Sequence, residues 1–143
     1  MPNIKPSSIS KLEKFMRNNK CDLGTLASKI IDKSEIINSN VVKVHTEQDL
    51  NIDNFLDVKD FFRRKTDLKN QKIYHHIGIY AFTSNALTKY VKFERSKLEI
   101  ERDLEQMRAM ENRLIVKVGL SDSKPLSVDT KEDLIEVNRE MNS

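Results

Sequence analysis

The sequence predicts an α/β chain, and three observations carry that reading. Stretches with apolar residues at helical spacing alternate with short β-branched or continuous apolar runs. Only three Gly and three Pro occur in 143 residues, so regular elements should outweigh loops. Hydrophobic residues make up 38% and charged residues 33%, a polar balance that still allows one core. A chain of this length can bury roughly 70% of its unfolded surface, enough for a single domain over 1–143.

"PSSISKLEKFMRNN" opens the series as a helix, with Ser7 or Ser8 as cap and Ile9, Leu12, Phe15 and Met16 on one face. "TLASKIIDKSEI", after Gly24, reads as a second, weaker helix. "NVVKVH", residues 40 to 45, is β-branched and reads as a strand. Residues 46 to 72 are dense in Asn, Asp and Lys and read as a polar excursion, with at most a short strand or turn near Phe61 and Phe62. An excursion of that length in a small domain points to a functional or interface role. "IGIYAF", 77 to 82, is a buried strand.

"SNALTKYVKF" reads as a helix capped by Ser84, with Leu87, Tyr90 and Val91 inward. "KLEIERDLEQMRAMENR" reads as one long helix with a stripe of Ile100, Leu104, Met107 and either Met110 or Glu111, and Leu98 off it. "LIVKVGL" is a strand. "VDTKEDLIEVNREM" is a strand end turning into a helix, with Thr130 and Asp133 at capping-box spacing and Leu134, Val137 and Met141 inward.

Charge excludes little but weighs against one class. Net charge is +3, from 25 basic and 22 acidic residues, and the signs are interleaved. A nucleic-acid binder shows a one-signed patch threaded with aromatics, so no nucleic-acid partner is expected. The single cysteine, Cys21, excludes an intrachain disulfide and reads as a packing residue. No apolar run approaches the roughly 18 residues of a membrane helix, and "MPNIKPSSISK" lacks the apolar stretch of a signal peptide. The expected compartment is the cytoplasm, with no membrane association. No G-x-G-x-x-G or G-x-x-x-x-G-K-[ST] occurs, so the sequence carries no phosphate-cradling loop of those types.

A few residues could carry chemistry. His75 and His76 are adjacent, and adjacent strand residues point to opposite faces, so both serve one site only if the strand begins between them. Each reads either as a structural strand-end residue or as an imidazole contacting a ligand carboxylate or hydroxyl. Glu105 and Gln106 lie beside the apolar stripe of the long helix, while Glu99 and Glu101 read as solvated. Asp129 reads either as a helix-start carboxylate or as a hard-cation ligand, and one Asp alone does not complete a magnesium site.

Taken together the motifs resemble the 3-deoxy-manno-octulosonate (Kdo) cytidylyltransferases, the CMP-Kdo synthetases. "YHHIGIYAF" resembles that family's Y-R-H-I-G-I-Y-A-Y segment, and "SKLEIERDLEQMRAMENRLIVKV" its S-x-L-E-x-x-E-x-L-E-Q-L-R helix and following strand. "LSVDTKEDLIEVNREM" resembles its V-D-T-P-E-D-L-E tail. "PNIKPSSISKLEKFM" looks like the stretch that follows the family's Q-G-D-E-P motif, and "NVVKV" matches a later strand. The matches keep family order across nearly the whole chain and are loosest over 46 to 72. A sialic-acid cytidylyltransferase fits less well, because L-E-Q-x-R is not that family's signature.

The resemblance implies the C-terminal portion of a Rossmann-like nucleotidyltransferase (nucleotide-diphospho-sugar transferase) fold with a mixed sheet. It implies a cytidylyltransferase that joins CTP and Kdo into CMP-Kdo and pyrophosphate for lipopolysaccharide biosynthesis, with Mg2+ as cofactor. His76, Tyr80, Glu105 and Gln106 match its sugar-acid contacts, Asp129 its magnesium ligand, and Arg64, in "FFRR", a substrate-carboxylate contact. The family's phosphate loop and cytosine pocket belong to a preceding half of about 100 residues.

The chain is therefore expected to hold the sugar-acid and dimerisation side, with 46 to 72 as a dimer contact, and to be inactive alone. A homodimer, or pairing with the missing N-terminal half, is the expected assembly, since part of a sheet would leave an unpaired edge. The alternative is a non-catalytic dimerisation or binding module from, or complementing, a split nucleotidyltransferase. His75, Thr83, Arg102 and Lys131 depart from the family pattern, which usually has Arg, a basic residue, Glu and Pro there.

Overall fold

In a computed structural model the described residues are 3–69, 71–123, 126 and 128–143. They run α1 (Pro6–Asn18), β1 (Leu23–Ser28), α2 (Ser34–Ile37), β2 (Lys43–Thr46), β3 (Phe55–Phe62), β4 (Lys72–Phe82), α3 (Ser84–Tyr90), α4 (Lys97–Arg102), α5 (Gln106–Glu111), β5 (Val116–Leu120) and α6 (Lys131–Met141).

The α/β class and the mixed sheet are as expected, but the sheet closes. Its order is β1-β4-β2-β3-β5, with β5 returning to pair with β1. The β1–β5 pair is parallel and the other pairs are antiparallel. Among the described residues every strand therefore has a neighbour on each side, in place of the unpaired edge expected from the sequence. Closure removes the row of unsatisfied N–H and C=O groups that an open sheet presents.

β1 is the largest departure from the sequence reading, which placed a helix over 25 to 36. All six residues of β1 are buried. Leu23 and Ala27 face the barrel core, while Leu26 packs with Leu12 of α1 and Ile77 of β4. A strand covered on both faces shows no alternation, so its sequence is not told from a buried helix by period. Only the four-residue turn α2 remains of the predicted helix. Gly24 lets α1 approach, because a Cβ there would lie 2.8 Å from Met16 Sδ and 2.9 Å from Leu12 Cδ1.

The polar excursion contains a full strand, β3. Its Asn and Asp residues cluster just before it, where Asn51 and Asn54 side chains accept turn N–H groups. Within β3, Leu56 and Val58 turn inward and Asp57 and Lys59 outward, the latter pairing with Lys117 and Glu47. β4 is also longer than the expected 77 to 82, beginning at Lys72.

The long C-terminal helix is two. Asp103 adopts a left-handed φ of 54° between α4 and α5. Ile100 is exposed, and Leu98 rather than Ile100 packs on the core beside Leu104 and Met107. Helix α1 is capped at Lys5 with Pro6 in its first turn, and Ser8 is buried against Ser121 instead of capping. Thr83, not Ser84, caps α3, whose buried residue is Ala86; Leu87 and Val91 are exposed. The capping box of Thr130 and Asp133 on α6 is present, with Val137 buried and Leu134 and Met141 exposed. Cys21 is buried and its thiol donates to Met16 Sδ at 3.3 Å.

Candidate functional site

Strand β4 runs on in both directions from the His75–His76 pair, so the two side chains diverge. His75 faces out, and its Nδ1–H donates to Glu35 Oε1 at 2.8 Å. Burial, with Lys43 adding, holds its pKa below the ordinary value, so the contact is a neutral imidazole given to a carboxylate.

His76 faces into the barrel, its ring edge-on to Phe61 at 5.0 Å and tilted on Tyr80 at 5.4 Å. Burial, reinforced by His75, lowers its pKa to about 3, so it is neutral at pH 7. Its Nε2 lies 2.9 Å from Thr25 Oγ1, whose single proton goes to Ile79 O at 2.7 Å. Nε2 must then donate to Thr25, which leaves Nδ1 as the acceptor.

Tyr80, two turns of the pleat from His76 on the same face, opens onto a cavity of about 100 Å³ lined by Leu23, Tyr80, Phe82, Tyr90, Glu105 and Gln106. Burial, with Tyr90 and Glu105 adding, pushes the Tyr80 phenol far above its ordinary pKa, so it remains a donor. Glu105 and Gln106 come from the start of α5, Glu105 exposed and Gln106 8% exposed. The left-handed Asp103 sets this geometry by turning the chain just before them.

Across the α4–α5 break lie two adjoining basins. One, of about 370 Å³, is lined by Asp60, Arg64, Lys65 and others; the second, of about 590 Å³, by Asn40, Asp103, Asp129 and others. They share Ser39, Arg63, Glu101 and Arg102. Their walls are tied by three cations, of which Arg63 and Lys43 were not singled out from the sequence and Arg102 only as a departure from the family pattern. Arg63 donates to the carbonyls of Ser39, Arg102 and Asp103. Lys43, fully buried, donates to Asn38, Val41 and Arg63 carbonyls, and burial lowers its pKa to about 8. Arg102 binds Asp60 Oδ1 at 2.6 Å and Phe61 O at 2.7 Å. Arg64 is exposed and, among the described residues, makes no hydrogen bond or ion pair.

The sequence-derived candidates thus fall into three places. Tyr80, Glu105 and Gln106 share the cavity; His76 stands behind Tyr80 in the core; Arg64 and Asp129 line the adjoining basins. Asp129 is exposed in the bend before α6, and its N–H donates to Asp133 Oδ2 at 3.1 Å. Leu126 and Val128 beside it are not in a strand. Among the described residues no group of three or more His, Cys, Asp or Glu could hold a metal ion. Asp129 on its own does not make a magnesium site, since that ion takes near-octahedral oxygen donors.

Glu99 corrects the reading of a solvated helix carboxylate. It is 1% exposed and bound to Arg108 at 2.5 Å, and the hydrogen bond from Arg108 lowers its pKa to about 2. The S-x-x-E of Ser96 and Glu99 was the available signal, and it forms a capping box on α4. Tyr90 was read as core, but it also lines the cavity.

A family model described as cytidylyltransferase matches residues 1–118. The chain belongs to the cytidylyltransferase family. It is 40% identical over 139 residues to the 3-deoxy-manno-octulosonate cytidylyltransferase of Bartonella tribocorum, covering 97% of this chain and 56% of that protein. It is 36% identical over 134 residues to the enzyme of the same name from Rickettsia rickettsii, covering 94% of this chain and 53% of that protein. A solved structure, CMP:2-keto-3-deoxy-manno-octonic acid synthetase complexed with CTP, superposes with a TM-score of 0.80 at 26% identity. It covers 99% of this chain and 58% of that one. This cytidylyltransferase chain therefore spans somewhat more than half the length of the relatives it matches. No helix among its described residues is long and apolar enough to cross a membrane.

Proposed function

We propose that this chain is the sugar-acid side of a cytoplasmic CMP-Kdo synthetase. The whole enzyme lets the anomeric hydroxyl of Kdo attack the α-phosphate of CTP, releasing pyrophosphate and giving CMP-Kdo for lipopolysaccharide. The observation that carries this reading is the convergence of Tyr80, Glu105 and Gln106 on one cavity. These residues come from the H-I-G-I-Y and L-E-Q-x-R segments, more than twenty residues apart in sequence.

Each contributes a distinct capacity. The protonated Tyr80 phenol and the Gln106 amide donate to sugar hydroxyls, and the Glu105 carboxylate accepts from them. Sites that bury a small ligand usually measure about 300–1,000 Å³. The cavity of about 100 Å³ admits only a hydroxylated edge of the acid. The basin of about 370 Å³ that Arg64 lines shares no lining residue with this cavity, so in this reading Arg64 serves a carboxylate outside the hydroxyl-binding cavity. His76 acts from behind Tyr80, its Nδ1 the free acceptor. When bound, Mg2+ would neutralise phosphate charge, with Asp129 supplying one oxygen and phosphates most of the others. The sheet, in this reading, is the C-terminal part of a Rossmann-like nucleotidyltransferase sheet. Pairing as a homodimer, or with a partner half carrying the CTP site, supplies the rest of the enzyme.

The test has two arms. Calorimetric titration of the purified chain with Kdo should give saturable binding that weakens in Gln106→Ala. Incubation with CTP, Mg2+ and Kdo should then give no pyrophosphate above background. Robust turnover would overturn the division between halves. Absence of Kdo binding would remove the sugar-acid reading and leave a non-catalytic dimerisation module.

A further inference from the structure

Behind the cavity lies a connected set of polar contacts with no part in the reading above. Glu99 accepts from Arg108 Nε at 2.9 Å and Nη2 at 2.5 Å, a two-pronged contact on a nearly fully buried carboxylate. Ser96 N–H donates to Glu99 Oε2 at 2.9 Å, and Arg95 approaches Oε1 at 3.5 Å. The Arg108 guanidinium then lies 4.8 Å from the centroid of the Tyr90 ring. Tyr90 donates its hydroxyl to Glu105 O at 3.0 Å and tilts its ring on Phe82 at 5.3 Å. Tyr90 thus bridges the two walls of the cavity, Phe82 of β4 on one side and the start of α5 on the other.

The chemistry of this chain is more specific than packing needs. A buried ion pair rarely stabilises a fold more than apolar residues of the same volume would, because both charges lose their water. What it does provide is fixed geometry. The planar guanidinium can grip a carboxylate with one edge while its face lies on an aromatic ring, which a lysine cannot do. Here the edge is held by Glu99 and the face orients Tyr90. The Tyr90 hydroxyl in turn fixes the carbonyl of Glu105, the residue that enters α5 beside Gln106. Gln106, Met107 and Ala109 already bury the inner side of α5, so what the Tyr90 hydroxyl adds is a hold on the exposed Glu105 at its entry.

We propose that Arg108, through Tyr90, is a positioning residue for the sugar-acid site, holding the Glu105–Gln106 wall at its distance from Tyr80 and Phe82. The assignment rests on the reading of that cavity as the sugar-acid site. Tyr90 is the handle for testing it, because Arg108→Lys also strips a buried carboxylate of its partner and carries a folding cost. Tyr90→Phe removes one hydroxyl and keeps the ring on Phe82 and under Arg108.

Kdo affinity is measured by calorimetry for the unmodified chain, Tyr90→Phe, Gln106→Ala and the double variant, each with a thermal melt. The loss of one positioning hydrogen bond should weaken Kdo binding about 3- to 10-fold in Tyr90→Phe with little change in melting temperature. In the double variant the two losses should be less than additive, because part of what Tyr90 positions is already gone with the Gln106 amide. Additive losses, or a lowered melting temperature that accounts for the effect, would make Tyr90 a structural residue and overturn the assignment. Unchanged affinity in Tyr90→Phe beside a weakened Gln106→Ala would overturn it while sparing the sugar-acid reading. No binding by the unmodified chain, or none lost in Gln106→Ala, would overturn both.

Discussion

At the scale of single residues, His76 makes the chain sensitive to acid. Its folded pKa is about 3, while the unfolded chain carries an ordinary histidine near 6.5. Between those values the unfolded state binds the extra proton. Stability from this group is therefore complete above about pH 6.5 and falls as pH drops toward 3, at about 1.4 kcal/mol per pH unit. Glu99 adds to the same trend lower down, between its ordinary 4.5 and about 2. Urea unfolding at pH 4 to 7 should show this slope, and His76→Gln should flatten it. An equal slope in the variant would assign the acid sensitivity elsewhere. Strand parity in the sequence could only put His75 and His76 on two faces, and it was the family resemblance that favoured His76. Which face was the core depended on α2 bringing Glu35 to one and on Phe61 and Thr25 meeting the other.

At the scale of elements, the contacts of α1 and β3 with the barrel turn on two glycines. A Cβ at Gly119 would lie 2.4 Å from Cζ of Phe55, whose ring stacks on Phe15 with centroids 3.8 Å apart. That ring has a partner on its other side and little room to retreat. Gly24 instead faces the ends of Met16 and Leu12, both flexible side chains. Gly119→Ala should cost about 1–3 kcal/mol by overpacking, and Gly24→Ala less. Denaturant unfolding of both variants checks the order, and a neutral Gly119→Ala would mean that the Phe15–Phe55 stack moves freely.

Helices α1 and α6, with a covered and an uncovered face, kept their predicted type, and so did β5, whose Val116-Lys117-Val118 alternation survives although only Lys117 is not buried. β1 did not, since both its faces are buried and its period is erased. The break at Asp103 was also hidden, because nothing in "IERDLEQ" interrupts the helical pattern.

At the scale of the whole molecule, closure makes β1 the keystone. It pairs with β4 on one side and β5 on the other, and α1 covers its outer face. Its amides should exchange with solvent among the slowest in the chain, while those of α6, buried only at Val137, exchange early. Exchange at β1 as fast as at α6 would deny the barrel its closing role.

The sequence by itself determined the family, the α/β class and three of the cavity residues, Tyr80, Glu105 and Gln106, because short motifs survive as contiguous strings whatever surrounds them. Tertiary structure alone decided that the sheet closes and that β1 is a strand. It also decided that Glu99 is buried with Arg108 and that Tyr80, Glu105 and Gln106 meet while Arg64 and Asp129 stand apart. Those facts depend on contacts between segments distant in the chain, and local pattern carries no record of which distant segment will supply the missing face.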